Sequence, residues 1–203
     1  MAAGMAPAMV DNPHEAGDFA RVASGVLVHL GPPQDHPVAA MKAAVRAADE
    51  AGTPWVLDPV AAGGLRWRTR VALELLDISR PAIIRGNASE IAGLAGGAGG
   101  RGVDSTTSPE EVLDLARALA QRHRCAVAVS GPVDHFVDAE RVVTLANGHR
   151  WLTRITGVGC SLGALMAGFA GVTEDPLVAA AGATAVITVA ADQAAGTTGL
   201  GGF

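Results

Sequence analysis

Four short apolar runs, Gly25–Leu30, Trp55–Asp58, Ala82–Arg85 and Ala126–Ser130, recur along the chain with helix-length segments between them. Runs that are apolar throughout suit strands covered on both faces, and parallel strands need a crossover between them. The alternation therefore predicts βαβ units in one α/β domain: a mainly parallel central sheet with helices on both faces, in three layers.

The intervening segments carry their own start and stop signals. A helix is expected over Pro37–Ala51, with Asp35 or His36 as its cap, Pro37 in the first turn, Val38, Met41 and Val45 on the apolar face, and Gly52 just past the end. Shorter helices are expected over Thr69–Asp77 and Ser89–Ala95, followed by a glycine-rich loop over Gly96–Gly102. Ser108, Pro109 and Glu111 form a capping-box pattern opening a helix to Arg122. His135–Asp138 and Arg141–Ala146 read as an antiparallel pair at a sheet edge, and the last third as helices over Cys160–Ala170 and Pro176–Gln193. The most apolar tract, Pro176–Ala191, lies between Asp175 and Asp192 and falls short of the ~20 residues of a membrane span, so a buried helix is expected there and no membrane partner.

At 203 residues the chain has enough material for one core without staples. Net charge is −5 and the 15 Lys and Arg are scattered, which excludes the basic footprint of a nucleic-acid binder. Cys125 and Cys160 have neither metal-ligand nor C-x-x-C spacing, so a reducing, cytoplasmic setting is expected. The stretch Met1–Asp11 lacks the basic and apolar regions of a secretory signal.

In open α/β sheets ligands bind beyond the C-terminal ends of the strands. Asp58, Arg85 and Ser130 each end an expected strand, and Cys160 opens an expected helix behind Gly157, Val158 and Gly159. Each has a plain structural reading: a turn former before Pro59, a surface charge, a strand exit with Gly131, and a core cysteine behind turn glycines. Four polar groups at one sheet edge favour a ligand. The turn Gly157-Val158-Gly159-Cys160 lies late in the chain and does not match a dinucleotide fingerprint, but free N–H groups at a helix N-terminus receive phosphate. In Arg85-Gly86-Asn87-Ala88-Ser89-Glu90, Arg85 suits phosphate oxygens and Asn87 or Ser89 suits a cap. Glu90 suits Mg²⁺, directly or through water, or simply the first helical turn.

RGNASE at Arg85–Glu90, PWVLDPVAAGGLR at Pro54–Arg66, GGRGVDS at Gly99–Ser105, SGPVD at Ser130–Asp134, TGVGCSLGA at Thr156–Ala164 and APAM at Ala6–Met9 occur in the order found in hydroxyethylthiazole kinases, which the chain resembles over most of its length. The resemblance implies a ribokinase-like fold and transfer of the ATP γ-phosphate to the primary alcohol of 4-methyl-5-(2-hydroxyethyl)thiazole, in thiamine biosynthesis or salvage. It implies that Arg85 and Ser130 contact ATP, that Glu90 and Asp58 organise Mg²⁺, and that Met9 and Gly157 line the thiazole site. The backbone of Gly157, Val158, Gly159 and Cys160 would form the anion hole, and a homotrimer would place its sites between subunits. Cys160 stands where most ribokinase-like kinases carry Asp, which argues against hydroxymethylpyrimidine kinase or repair of hydrated nicotinamide and leaves the thiol a secondary role in proton removal or positioning. Ser130 and Val158 stand where the family usually has Thr. Measured against that family, the chain is expected to lack the first N-terminal elements, with their Thr-Asn motif, and the helix beyond Phe203. The competing expectation is a nucleotide-binding or oligomer-forming remnant without catalysis.

Overall fold

The computed structural model describes residues 2–96, 109–197 and 199. Its elements run in the order α1 (Ala16–Val22), β1 (Val26–His29), α2 (Asp35–Ala51), β2 (Trp55–Asp58), α3 (Arg66–Ile78), β3 (Ile83–Asn87), α4 (Ala88–Leu94), α5 (Pro109–His123), β4 (Ala126–Ser130), β5 (Asp134–Val137), β6 (Val142–Leu145), a 3₁₀ turn (Arg150–Arg154), α6 (Val158–Ala170) and α7 (Pro176–Thr197). The strands form one sheet in chain order, β1 to β4 parallel and β5 and β6 antiparallel at the edge.

That order decides where the helices go. Crossovers between parallel strands are right-handed, so strands laid down successively in one direction put every crossover helix on the same face. The crossover helices α2 to α5 accordingly pack along one face, over Trp55, Leu57, Ile84, Val127 and Val129, and α1 joins them by packing on α2. The other face, with Val56, Ile83, Ala126, Ala128 and Phe136, is covered by α6 and α7. Alternate residues of each strand thus belong to different cores.

Several boundaries differ from the sequence expectation. Helix α2 starts at Asp35 with Gln34 at its N-cap, whose side chain makes no capping bond, so neither Asp35 nor His36 caps it. Asp35 instead places a negative charge in the first turn. Strand β3 continues to Asn87, so Arg85 lies inside the strand opposite Ala128, and Asn87 faces Ser130. Helix α6 begins at Val158, making Cys160 its third residue. Ser108 and residues 97–102 of the loop expected over Gly96–Gly102 lie outside the described residues, as do Asp104 and Ser105.

Helix α7 departs further. It is 22 residues long, which by length and composition alone would span a membrane. It is not buried all round: Ala179, Ala180, Ala183, Thr184 and Ala191 face the sheet and α6, while Val178, Val186 and Val189 are exposed. Two buried threonines return their hydroxyls to the helix, Thr184 to the carbonyl of Ala180 and Thr188 to that of Thr184, each at 2.9 Å.

Candidate active site

The period of two along each strand selects which polar side chains meet. Leu27, Val56, Ile83 and Ala128 point to the α6 and α7 face, so His29, Asp58, Arg85 and Ser130, each two residues further on, emerge on that same face. The parallel register sets His29 beside Asp58. All four lie toward the end of the sheet at which α6 begins.

Arg85 is the hub. Its Nη1 donates to Oδ2 of Asp58 and its Nη2 to Oγ of Ser130, both at 3.2 Å, so one guanidinium spans from β2 to β4. Asp58 is 1% exposed and its Oδ1, like Nε of Arg85, is buried without a hydrogen-bond partner. Burial pushes the Asp58 carboxyl above its ordinary range; Arg85 and then His29 pull it down, and the negative Glu90 adds to the rise.

Glu90 is tied to the backbone. Its Oε2 accepts from the N–H of Asn87 and its Oε1 from the N–H of Ala61, each at 2.9 Å, while Asn87 Oδ1 accepts from the N–H of Glu90. This is a capping box at the start of α4, with Asn87 rather than Ser89 as the cap, and it straps the β2–α3 loop to that helix. Each oxygen keeps a free lone pair.

The start of α6 supplies donors. Gly157 is the N-cap in a left-handed conformation, φ 94°, which a side chain would strain. The first intrahelical bond at this end is the N–H of Ser161 to the carbonyl of Gly157, so the N–H groups of Val158, Gly159 and Cys160 precede it. A Cβ on Gly159 would stand 2.7 Å from Nη1 of Arg85, so the guanidinium lies directly against this turn. A cation beside the positive end of a helix is unfavourable unless anions join them. Asp58 supplies one negative charge; the surplus of donors suits phosphate oxygens.

Two further groups belong to this place and were not singled out in the sequence. His29 Nε2 is 3.0 Å from Sγ of the exposed Cys160 and 3.9 Å from Oδ2 of Asp58. Asp134 Oδ1 accepts from the N–H of Gly131, and its carboxyl, raised chiefly by burial, feels Arg85. The signal for His29 was available: it follows Leu27, which faces α6 and α7, by two residues and ends β1 as Asp58 ends β2.

Of the residues expected from sequence, Asp58, Arg85, Ser130 and the α6 turn with Gly159 come together, and Glu90 is close enough to Asp58 to perturb it. Met9 is 100% exposed and Gly157 has open space around it, so neither is packed within this chain. As for Mg²⁺, the buried, unpartnered Oδ1 of Asp58 and the spare lone pairs of Glu90 suit a hard cation. Among the described residues no three His, Cys, Asp or Glu side chains form a metal cluster. An ion here would rely on water and phosphate oxygens for the rest of its shell, as Mg²⁺ prefers.

The model of the hydroxyethylthiazole kinase family matches residues 1–203. The chain belongs to the hydroxyethylthiazole kinase family. It is 57% identical over 196 residues to the hydroxyethylthiazole kinase of Kineococcus radiotolerans, covering 96% of this chain and 71% of that protein. With the enzyme of the same name from Cutibacterium acnes it shares 54% over 196 residues, 96% of this chain and 70% of the relative. The solved hydroxyethylthiazole kinase protein from Pyrococcus horikoshii superposes with a TM-score of 0.84 at 36% identity, over 94% of this chain and 71% of that one. An ADP complex of Bacillus subtilis pyridoxal kinase, at TM-score 0.57 and 17% identity over 78% of this chain and 62% of that chain, shares the fold alone. The family membership makes this chain a phosphotransferase of the ribokinase-like α/β fold.

Proposed function

We propose that this chain transfers the γ-phosphoryl group of ATP to the primary alcohol of 4-methyl-5-(2-hydroxyethyl)thiazole, in thiamine biosynthesis or salvage in the cytoplasm. The observation that carries the reading is the Arg85 guanidinium, held between Asp58 and Ser130 and lying against Gly159 in the turn that opens α6. Phosphoryl transfer asks little covalent chemistry of a protein and depends on positioning and on stabilising spread negative charge. Arg85 and Ser130 would hold ATP, and the N–H groups of Val158, Gly159 and Cys160 would face the charge of the transferring group.

Asp58 and Glu90 would hold Mg²⁺, the latter directly through a spare lone pair or through water, its oxygens already holding the α4 cap and the β2–α3 loop. Bound there, the ion would neutralise phosphate charge. Cys160 stands at the helix opening as an auxiliary base or positioning group for the alcohol. Met9 and Gly157 would line the thiazole site. Their exposure in the single chain is what a homotrimer with sites between subunits would require, and light scattering reads that stoichiometry.

The test is to follow ATP, ADP and the phosphorylated thiazole by chromatography with the purified chain and Mg²⁺. Phosphorylated thiazole formed in step with ADP is expected. ATP binding with no transfer to the thiazole alcohol would overturn the reading in favour of a nucleotide-binding remnant.

A further inference from the structure

We propose that His29 is a positioning residue for Cys160, fixing its thiol at the opening of the α6 anion hole and so setting how the acceptor alcohol is presented. The kinetic consequence rests on the kinase reading above; the pairing rests on geometry alone.

His29 ends β1 next to Asp58, and its ring lies over Gly31, where a Cβ would stand 3.2 Å from Nδ1. Its side chain is 28% exposed, so it sits at the rim of the site rather than in the core. Nε2 then faces two groups: Sγ of Cys160 at 3.0 Å and Oδ2 of Asp58 at 3.9 Å, the second too long for a hydrogen bond. His29 is the hydrogen-bonding partner of Sγ among the described residues. The tautomer decides whether Nε2–H donates to sulfur or the thiol donates to Nε2. Sγ is fixed either way. A cysteine in the first turn of a helix has other staggered positions open to it, and the imidazole selects one. The contact thereby links β1 to α6 across the ligand edge, beside Asp58 Oδ2.

Two measurements test the proposal. In the ligand-free protein, alkylation of Cys160 by iodoacetamide is followed by peptide mass spectrometry. Sulfur bonds to the reagent carbon, iodide leaves, and the thiol proton passes to Nε2 or water. Cys125 is the internal control, since it is buried and its thiol is pushed up to about 12. His29→Ala is expected to change the alkylation rate of Cys160 at least about threefold, slower if Nε2–H donates to the sulfur and faster if the thiol donates to Nε2, and His29→Gln, whose amide can donate or accept at a similar reach, to bring the rate part of the way back. No change in His29→Ala removes the pairing, whatever the kinase assay gives.

In the second, His29→Ala should lower kcat for thiazole phosphorylation about tenfold with KM for ATP within about twofold, a loss within the range of a general acid–base contribution. The same substitution made in a Cys160→Ala protein should change kcat less than about twofold, because the partner through which it acts is gone. Equal losses in both backgrounds, or losses that follow a fall in melting temperature, overturn the positioning role. A parent protein that never phosphorylates the thiazole disproves the kinase reading instead, and leaves the alkylation result to decide the pairing.

Discussion

Arg85 has both of its terminal nitrogens committed within the chain, to Asp58 and Ser130, so it is held in place before any ligand arrives. A charge-assisted hydrogen bond of this kind is worth ~1.5–3 kcal/mol, so Arg85→Ala should raise KM for ATP roughly ten- to a hundredfold in steady-state kinetics. An unchanged KM in a folded variant would remove Arg85 from the ATP site. Gly159 tests the same contact from the other side. A Cβ there would lie 2.7 Å from Nη1, and Arg85, tethered at both ends, has little room to yield. Gly159→Ala should therefore weaken ATP use about tenfold or more, of the order expected when one charged contact is lost. If KM for ATP stays at the parent value, the guanidinium is free to move away. Glu90→Gln separates two roles of one carboxylate. The amide retains one acceptor, so one of the two bonds, that from Asn87 at the α4 cap or that from Ala61 in the β2–α3 loop, is lost, about 0.5–1.5 kcal/mol seen as a lower melting temperature. If Glu90 also serves Mg²⁺, activity will require a higher Mg²⁺ concentration; an unaltered Mg²⁺ titration leaves it as a helix cap only. Most of these residues were legible in the sequence because each stands at a strand end or a helix start. His29 ends a strand too and carries the same signal, but with no recognisable motif beside it a polar residue after an apolar run reads equally as an ordinary exit from a strand.

Helix ends were the least legible elements, and α5 shows why. Its C-terminus is closed by Arg124 in the left-handed conformation, φ 50°, with the N–H of Cys125 donating to the carbonyl of Ala120 at 3.2 Å. This is the long bond of a Schellman motif, for which glycine is the usual signal. Arginine hides it. The left-handed conformation costs a non-glycine residue ~1–2 kcal/mol, partly offset by the ~0.5–1 kcal/mol of backbone entropy that glycine loses on folding. Arg124→Gly should thus stabilise the protein by about 0.5–1 kcal/mol, a rise in melting temperature of roughly 1–4 °C for a chain of this size. A fall on thermal denaturation would mean that the Arg124 side chain makes contacts worth more than the strain. Helix α2 failed in the opposite sense: Asp35 or His36 was expected to cap it, yet the helix starts two residues earlier than expected, at Asp35, behind Gln34, whose side chain does not cap. Packing against α1 and α3 holds that helix, and the missing cap is tolerated.

At the scale of the whole molecule, buried titratable groups tie stability to pH. His123 Nε2 is buried without a partner, and burial, followed by the charge of Arg122, lowers its pKa from 6.5 while Asp77 opposes. The unfolded chain therefore binds a proton more readily than the folded one, so this contribution is fully present above about pH 6.5 and is lost as pH falls toward the folded value. In urea titrations the parent should lose stability relative to His123→Gln between about pH 7 and about pH 5.5; a constant difference would exclude the effect. The chain order of alternating apolar runs and helical segments was sufficient for the α/β class, the parallel strands and the edge hairpin, because periodicity and turn chemistry are local properties. Chain order alone does not say in which direction each new strand is added. Once the parallel strands are all added the same way, right-handed crossovers crowd α2 to α5 onto one face, where α1 packs on α2, and α6 and α7 cover the other. That arrangement, set by packing between distant segments, brings Cys160 to His29 and Arg85 to Asp58, Ser130 and Gly159. Sequence determined which residues could take part in the site; distances between residues so far apart in the chain exist only once the sheet has formed and α6 has closed over its end.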